Sequence, residues 1–156
     1  MLMKPYTRTG DAGETNLISG RVSKTDERVM CIGSIDETAA AISVARTELE
    51  NMEMTEIMLK IERRLSKIAG IMAGSTEKVN EEEIKKIEDW IDKYYVEKEN
   101  FVRPKTEEGA LLEFARTVCR RAEINTIKLR APEDVLKYMN RLSDLLFAMR
   151  IHCDEK

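Results

Sequence analysis

Five stretches of this chain carry apolar residues at three- and four-residue steps, and that period confines the fold to helices packed side by side. The first runs from about Thr25 to Glu50, with Val29, Ile32, Ala39, Ile42 and Leu49 as its stripe and Asp26 and Glu27 suited to its start. A second spans about Met54 to Ala73 through Ile57, Ile61, Leu65, Ile68 and Met72, with Gly74 placed to end it. A third begins at Asn80, whose side chain can cap while Glu83 completes a capping box, and carries Ile84, Ile87, Ile91 and Tyr94. Core is the expected fate of Trp90 and Tyr94. The fourth, about Glu107 to Leu129, sets Leu111, Phe114, Val118 and Ala122 against Arg116, Arg120, Glu123 and Ile127 on the other side. After Ala131, with Pro132 in its first turn, a fifth extends to about Ile151 through Val135, Tyr138, Leu142, Leu145 and Met149. The expectation is an all-α bundle of five helices, without internal repeats or a convincing strand.

A length of 156 residues fits one domain, with residues 1–24 as a leader and 25–153 as the bundle. The chain is 42% hydrophobic and 35% charged with a net charge of −3, which argues against a general nucleic-acid binder because duplex phosphates call for a basic surface. Met1 to Pro5 form no apolar signal region and no run is long enough to span a bilayer, so the sequence reads as a cytoplasmic protein with no membrane partner. Cys31, Cys119 and Cys153 are scattered, and with one histidine, His152, they support neither a disulfide framework nor a zinc site. Small buried apolar roles are their default.

Helix packing leaves unexplained the stretch Tyr6-Thr7-Arg8-Thr9-Gly10-Asp11-Ala12-Gly13-Glu14-Thr15, which holds three threonines, a cation, two acids and two glycines with no apolar face. It is either a frayed terminus or a loop for an anion: glycines let N–H groups turn outward, hydroxyls add donors and Arg8 can pair with phosphate. No Walker lysine follows it and no G-x-G-x-x-G occurs. The connector Ser19 to Lys24 reads as polar surface in which Arg21 and Lys24 stand out. Asp36 shares a side with Val29, Ile32 and Ala39, and requires a cationic partner unless that side is wet. Arg116 and Arg120, one turn apart, repel each other unless solvated or faced by an acid or anion. Phe101, in the aperiodic segment Glu97 to Gly109, either plugs the core or meets a ligand. Asn140 and Asp144 share a face one turn apart, as would suit a ribose, a base or a neighbouring arginine.

Three separated stretches together resemble the PduO-type ATP:cob(I)alamin adenosyltransferases. They are Tyr6 to Thr15, then Ala115-Arg116-Thr117-Val118-Cys119-Arg120-Arg121-Ala122-Glu123, then Asn140-Arg141-Leu142-Ser143-Asp144-Leu145-Leu146-Phe147. The resemblance implies a ferritin-like five-helix bundle assembled as a homotrimer with active sites between subunits. It implies that Thr7, Arg8, Thr9, Gly10, Asp11, Gly13, Thr15 and Lys24 wrap the triphosphate of ATP, while Arg120, Glu123 and Asn140 reach ATP from the adjoining subunit. Asp36 and Arg116 match an acid and an arginine that pair across the subunit boundary. Phe101 matches a phenylalanine beneath the corrin ring, where an apolar lower face eases reduction of Co(II) to Co(I).

The implied reaction is attack of cob(I)alamin on C5′ of ATP, giving adenosylcobalamin and triphosphate. It needs in-line placement, plus cations for the departing triphosphate, a task for Lys24, Arg8, Arg120 and a Mg²⁺ ion carried by ATP rather than by protein ligands. A Co(II) reductase or a cobalamin-dependent enzyme is the implied partner beyond the small-molecule substrates. The sequence departs from the family pattern at Ile124, where an arginine is usual, and at Lys105-Thr106-Glu107-Glu108, which replace a glycine pair. It also ends soon after the fifth helix. The alternative these departures motivate is a bundle that binds ATP and cobalamin as sensor or carrier without turnover.

Overall fold

The structure, a computed structural model, describes residues 4–97 and 103–155. Five helices form where the apolar period placed them: α1 Glu27–Glu48, α2 Met52–Met72, α3 Glu81–Tyr94, α4 Glu107–Lys128 and α5 Glu133–Asp154. Asp26 caps α1 by accepting from the Arg28 amide, Asn51 caps α2, and Asn80 and Glu83 close both halves of a capping box on α3. Pro132 stands at the N-cap of α5, one position ahead of the first-turn place expected for it, and α5 runs three residues past Ile151. No helix among the described residues is long and apolar enough to cross a membrane.

In space the packing order is α2, α1, α4, α5, α3, with α4 between α1 and α5. Ion pairs of Arg64 with Glu83 and of Lys93 with Glu53 join α3 to α2. Ile35, Ile42, Ile57, Ile61, Leu65, Ile68, Ile87, Leu112 and Met139 are almost wholly buried, each side chain contributing about 1.5–3 kcal/mol by leaving water. The stripes of α2 and α5 follow expectation, although Met72 is half-buried; Tyr94 is buried and Trp90 half-buried against the core.

Two helices are turned relative to their expected faces. On α1 the buried residues are Cys31, Ser34, Ile35, Thr38, Ala41, Ile42 and Ala45, while Val29, Ile32 and Ala39 lie at the border. Ser34 and Thr38 can be buried because their hydroxyls bond back to the Cys31 and Ser34 carbonyls, at 2.7 and 2.8 Å. Asp36 is therefore on the exposed side. On α4 the core takes Leu112, Ala115, Val118, Cys119, Ala122 and Thr126, and Phe114 is 56% exposed. A helix flanked by two others buries small residues on its inner arc and leaves a bulky ring outside.

The leader contains strands, which the sequence reading did not expect. β1 (Glu14–Leu17) and β2 (Gly20–Ser23) pair antiparallel, with Glu14 opposite Ser23 and Leu17 opposite Gly20. Each strand has four residues and little apolar alternation, so periodicity is silent. An isolated two-stranded hairpin is marginal in water, and this one is anchored: Ser19 donates its amide to the Ala73 carbonyl at 3.1 Å and Arg28 reaches the Ser19 hydroxyl. Gly74 allows the approach. Its φ of +109° closes α2 in a Schellman motif, Ser75 N–H to Gly70 O and Gly74 N–H to Ile71 O, and a Cβ there would lie 3.1 Å from the Ser19 Cβ.

At the opposite end, Asp154 ties α5 to the start of α4. Its Oδ1 accepts from the Lys105 amide, the Thr106 amide and the Thr106 hydroxyl at 2.9, 3.0 and 3.0 Å, and its Oδ2 lies 3.5 Å from Nε of the fully buried Arg150. Replacing Asp154 removes three hydrogen bonds and one ionic contact of a nearly buried carboxylate at once. Asp154→Ala is expected to lower the unfolding free energy by about 3 kcal/mol in urea titrations; a change below about 0.5 kcal/mol, typical of surface substitutions, would contradict this role.

Candidate functional site

The leader folds into a closed loop. The Lys24 amide bonds the Gly13 carbonyl at 2.8 Å, extending the hairpin ladder, and two further turns form within the loop, Asp11 N–H to Arg8 O and Gly13 N–H to Gly10 O. Arg8 has a φ of +63°, a left-handed conformation that a side chain adopts at a cost of about 1–2 kcal/mol. Gly10 leaves room for the lysine: a Cβ there would stand 3.0 Å from Lys24 Nζ. The Thr7 and Thr9 hydroxyls lie 2.8 Å apart. Thr7, Arg8, Thr9, Asp11, Gly13 and Lys24 are all exposed, and Gly10 and Thr15 are half-covered. Arg8 packs over the Tyr6 ring, and neither Arg8 nor Lys24 has an ion pair among the described residues.

Arg120, Glu123 and Asn140 come together on the faces of α4 and α5. Arg120 Nη1 lies 2.8 Å from Glu123 Oε2 and donates to Asn140 Oδ1 at 3.4 Å. Glu123 is only 6% exposed, and its Oε2 makes the ionic contact without a hydrogen bond. Burial pushes the Glu123 carboxyl above its ordinary range; Arg120 opposes this, and the charge of Asp144 reinforces it. Arg116 has its own acid: Glu113 receives its guanidinium at 2.7 and 3.0 Å and is held below the usual carboxylate range by that hydrogen bond. Each arginine is thus matched by a glutamate three residues away on its own helix. The expected mutual repulsion is relieved within α4.

Several expected site residues stay apart in one chain. Among the described residues, no hydrogen bond or ion pair joins the leader to α4 or α5; its recorded anchors are Ala73 and Arg28. Asp36 is exposed and unpaired among those residues, so the wet alternative holds within the chain. Phe101 lies outside the described residues. Arg21 is exposed, as read from sequence, and in addition binds two parts of the loop, donating to Glu14 Oε2 at 2.8 Å and to the Thr9 carbonyl at 2.9 Å. Its signal was the hairpin itself, which periodicity did not disclose.

Exposed cations over a loop rich in N–H groups and hydroxyls can hold an oligophosphate, and a guanidinium braced by an acid and an amide can complete such a site from another direction. Comparison with known proteins places this architecture. The family profile described as Cobalamin adenosyltransferase matches residues 5–153. A corrinoid adenosyltransferase of Bacillus subtilis is 39% identical over 162 residues, covering 94% of this chain and 84% of the relative. The corrinoid adenosyltransferase PduO of Salmonella typhimurium is 36% identical over 94% of this chain, which spans 48% of that longer protein. Among solved structures, a variant of the PduO-type ATP:corrinoid adenosyltransferase from Lactobacillus reuteri complexed with cobalamin and ATP superposes with a TM-score of 0.91. It is 26% identical, and the match covers 97% of this chain and 91% of that one. A second variant of that enzyme, complexed with ATP, gives 0.89 at 27% identity, over 96% of this chain and 94% of its own. The chain belongs to the cobalamin adenosyltransferase family.

The environment of Glu123 sets a pH dependence. Protonated Glu123 is favoured in the folded chain, so its contribution to stability is fully present below about pH 4.3, the unfolded glutamate value, and is lost as pH rises through the higher folded value. The stability of the wild type relative to Glu123→Gln should fall with rising pH across that window, measured by urea denaturation at a series of pH values. A relative stability that rises there would contradict the assignment.

Proposed function

We propose that the chain transfers the 5′-deoxyadenosyl group of ATP to the cobalt of cob(I)alamin, at sites shared between the copies of a cytoplasmic homotrimer. The observation that carries this reading is the division of one chain into two incomplete halves. A loop with two cations free of ion pairs lies at the hairpin, and a braced arginine lies on α4, with no hydrogen bond or ion pair between them among the described residues. Thr7, Arg8, Thr9, Gly10, Asp11, Gly13, Thr15 and Lys24 wrap the triphosphate, and Arg120, Glu123 and Asn140 of a neighbouring copy fix the rest of the nucleotide.

The Co–C5′ bond forms as the C5′–O bond breaks, and the bonding pair leaves on triphosphate. Lys24, Arg8 and Arg120 take up that charge in place, which is the larger part of what the protein supplies. Glu123 and Asn140 hold the Arg120 guanidinium, so little reorganisation is needed when charge develops. Mg²⁺ would come with the triphosphate, whose oxygens are the hard ligands this cation prefers. Phe101 is assigned the lower face of the corrin from the family pattern.

The trimer finds support in the outer face of α1 and α4. Met30, Val44, Phe114 and Ile124 are each more than half exposed there, and Arg121 pairs with Glu37 between the two helices. Exposed apolar residues gathered on one face of two helices mark a protein contact. Asp36 adjoins this face, where it could draw Arg116 of another copy. Ile124, which departs from the family pattern, supplies apolar surface to the same face, so its presence does not by itself favour a non-catalytic carrier.

Protein, Mg-ATP and chemically reduced cobalamin are expected to yield the adenosylated corrin spectrum, and no product above a protein-free control would contradict the proposal. Binding of both substrates without turnover would favour the carrier. Arg120→Ala should lose about 2 kcal/mol or more of transition-state stabilisation, seen as a fall in kcat/KM of roughly 30-fold or greater. Phe114→Glu should convert trimer to monomer in sedimentation and abolish activity although Phe114 touches no substrate; an active monomer would refute the shared site.

A further inference from the structure

We propose that Arg21 is a positioning residue for the triphosphate: its guanidinium fastens the Thr9 carbonyl and the Glu14 carboxylate, so that the loop between them is already shaped for phosphate. The inference rests on the reading of that loop as the ATP site. Arg21 pairs with Asn16 across the hairpin, and Glu14, two residues along the same strand as Asn16, lies on the same face as Arg21. Nε and Nη2 then reach two acceptors five residues apart in sequence, Glu14 Oε2 at 2.8 Å and Thr9 O at 2.9 Å.

The acceptor chosen on the loop is informative. Thr9 follows Arg8, the non-glycine residue of the loop with left-handed backbone, and the Arg8 and Gly10 carbonyls on either side close its two turns. A tie at Thr9 therefore holds the first turn, Arg8 to Asp11, at its second residue. Lys24, three residues beyond Arg21, also reaches back over the loop, its ammonium passing beside Gly10. The two cations nevertheless differ in state. Arg21 already has protein acceptors for Nε and Nη2, whereas Lys24 and Arg8 have no ion pair among the described residues. Arg21 acts on the phosphate through the loop, and Lys24 and Arg8 act on it directly. A lysine could not replace Arg21, because a single ammonium does not reproduce the planar fork that spans both acceptors.

Calorimetric titration of the full-length protein with Mg-ATP, together with steady-state kinetics in each substrate, separates these roles. Arg21→Lys and Arg21→Met should both weaken ATP binding by about tenfold, the scale of one lost charge-assisted tie, and leave the KM for cob(I)alamin within about twofold. Glu14→Gln should shift ATP binding in the same direction, and added to Arg21→Met it should cause no further loss, since both act through one contact. Hydrogen exchange without ligand gives a second reading: the Asp11 and Gly13 amides should exchange faster in Arg21→Met while helix amides stay unchanged. Retention of wild-type ATP affinity by Arg21→Lys, with Glu14→Gln binding ATP more tightly, would overturn the inference and make Arg21 a direct phosphate ligand. Unchanged binding and exchange in all variants would overturn it as well. A wild type that binds no Mg-ATP would remove the reading of the loop itself, and this inference with it.

Discussion

A helix packed between two others has little surface left to present, and α4 is in that position, between α1 and α5. Its inner arc is restricted to Leu112, Ala115, Val118, Cys119 and Ala122, mostly small residues that let its neighbours approach. What remains at the edges carries the charged side chains. Arg120 stands over α5 where Asn140 meets it, Glu123 is drawn below the surface beside it, and Arg121 bridges to Glu37 of α1. The burial that stabilises the bundle thus aligns a guanidinium and raises the proton affinity of the carboxylate next to it. Position and electrostatics have one cause.

The leader is governed by different forces. With four-residue strands and almost no buried apolar surface, it keeps its shape through discrete ties: Ser19 to Ala73, Lys24 to Gly13, and Arg21 to Thr9 and Glu14. Such ties are individually worth about 0.5–1.5 kcal/mol in water. A loop held this way is fixed enough to present its N–H groups yet soft enough to close on a ligand. The bundle supplies a rigid wall and the leader an adjustable one, and among the described residues no hydrogen bond or ion pair joins the leader to α4 or α5.

Much of this was legible in the sequence. Five helices, their order and the capping box at Asn80 followed from apolar spacing and cap chemistry, and the likeness to one family rested on residues that helix packing does not require. The faces of α1 and α4 were less legible. Periodicity weighs Val29, Ile32 and Phe114 as core formers, whereas the fold buries Ser34 and Thr38, whose hydroxyls are satisfied within the helix, and leaves Phe114 outside. The hairpin escaped because its strands are too short and polar to carry a period. Arg21 escaped with it, since its role depends on which residue faces it across the turn. Arg150, buried beside Asp154, was hidden for a related reason: a charge in an apolar stripe reads as surface until its partner is known.

The central claim is that the triphosphate loop of one copy works with the Arg120 cluster of another. Mixed trimers test it most directly. Lys24→Ala and Arg120→Ala chains, each inactive alone, are co-expressed and purified together through distinct tags, and adenosyl transfer is measured. If the site is shared, every trimer that carries both tags holds one site of its three with an intact loop opposite an intact cluster, and activity returns to about a third of wild type. If each chain built its own site, every site would carry a defect, and the mixture would remain as inactive as its parents.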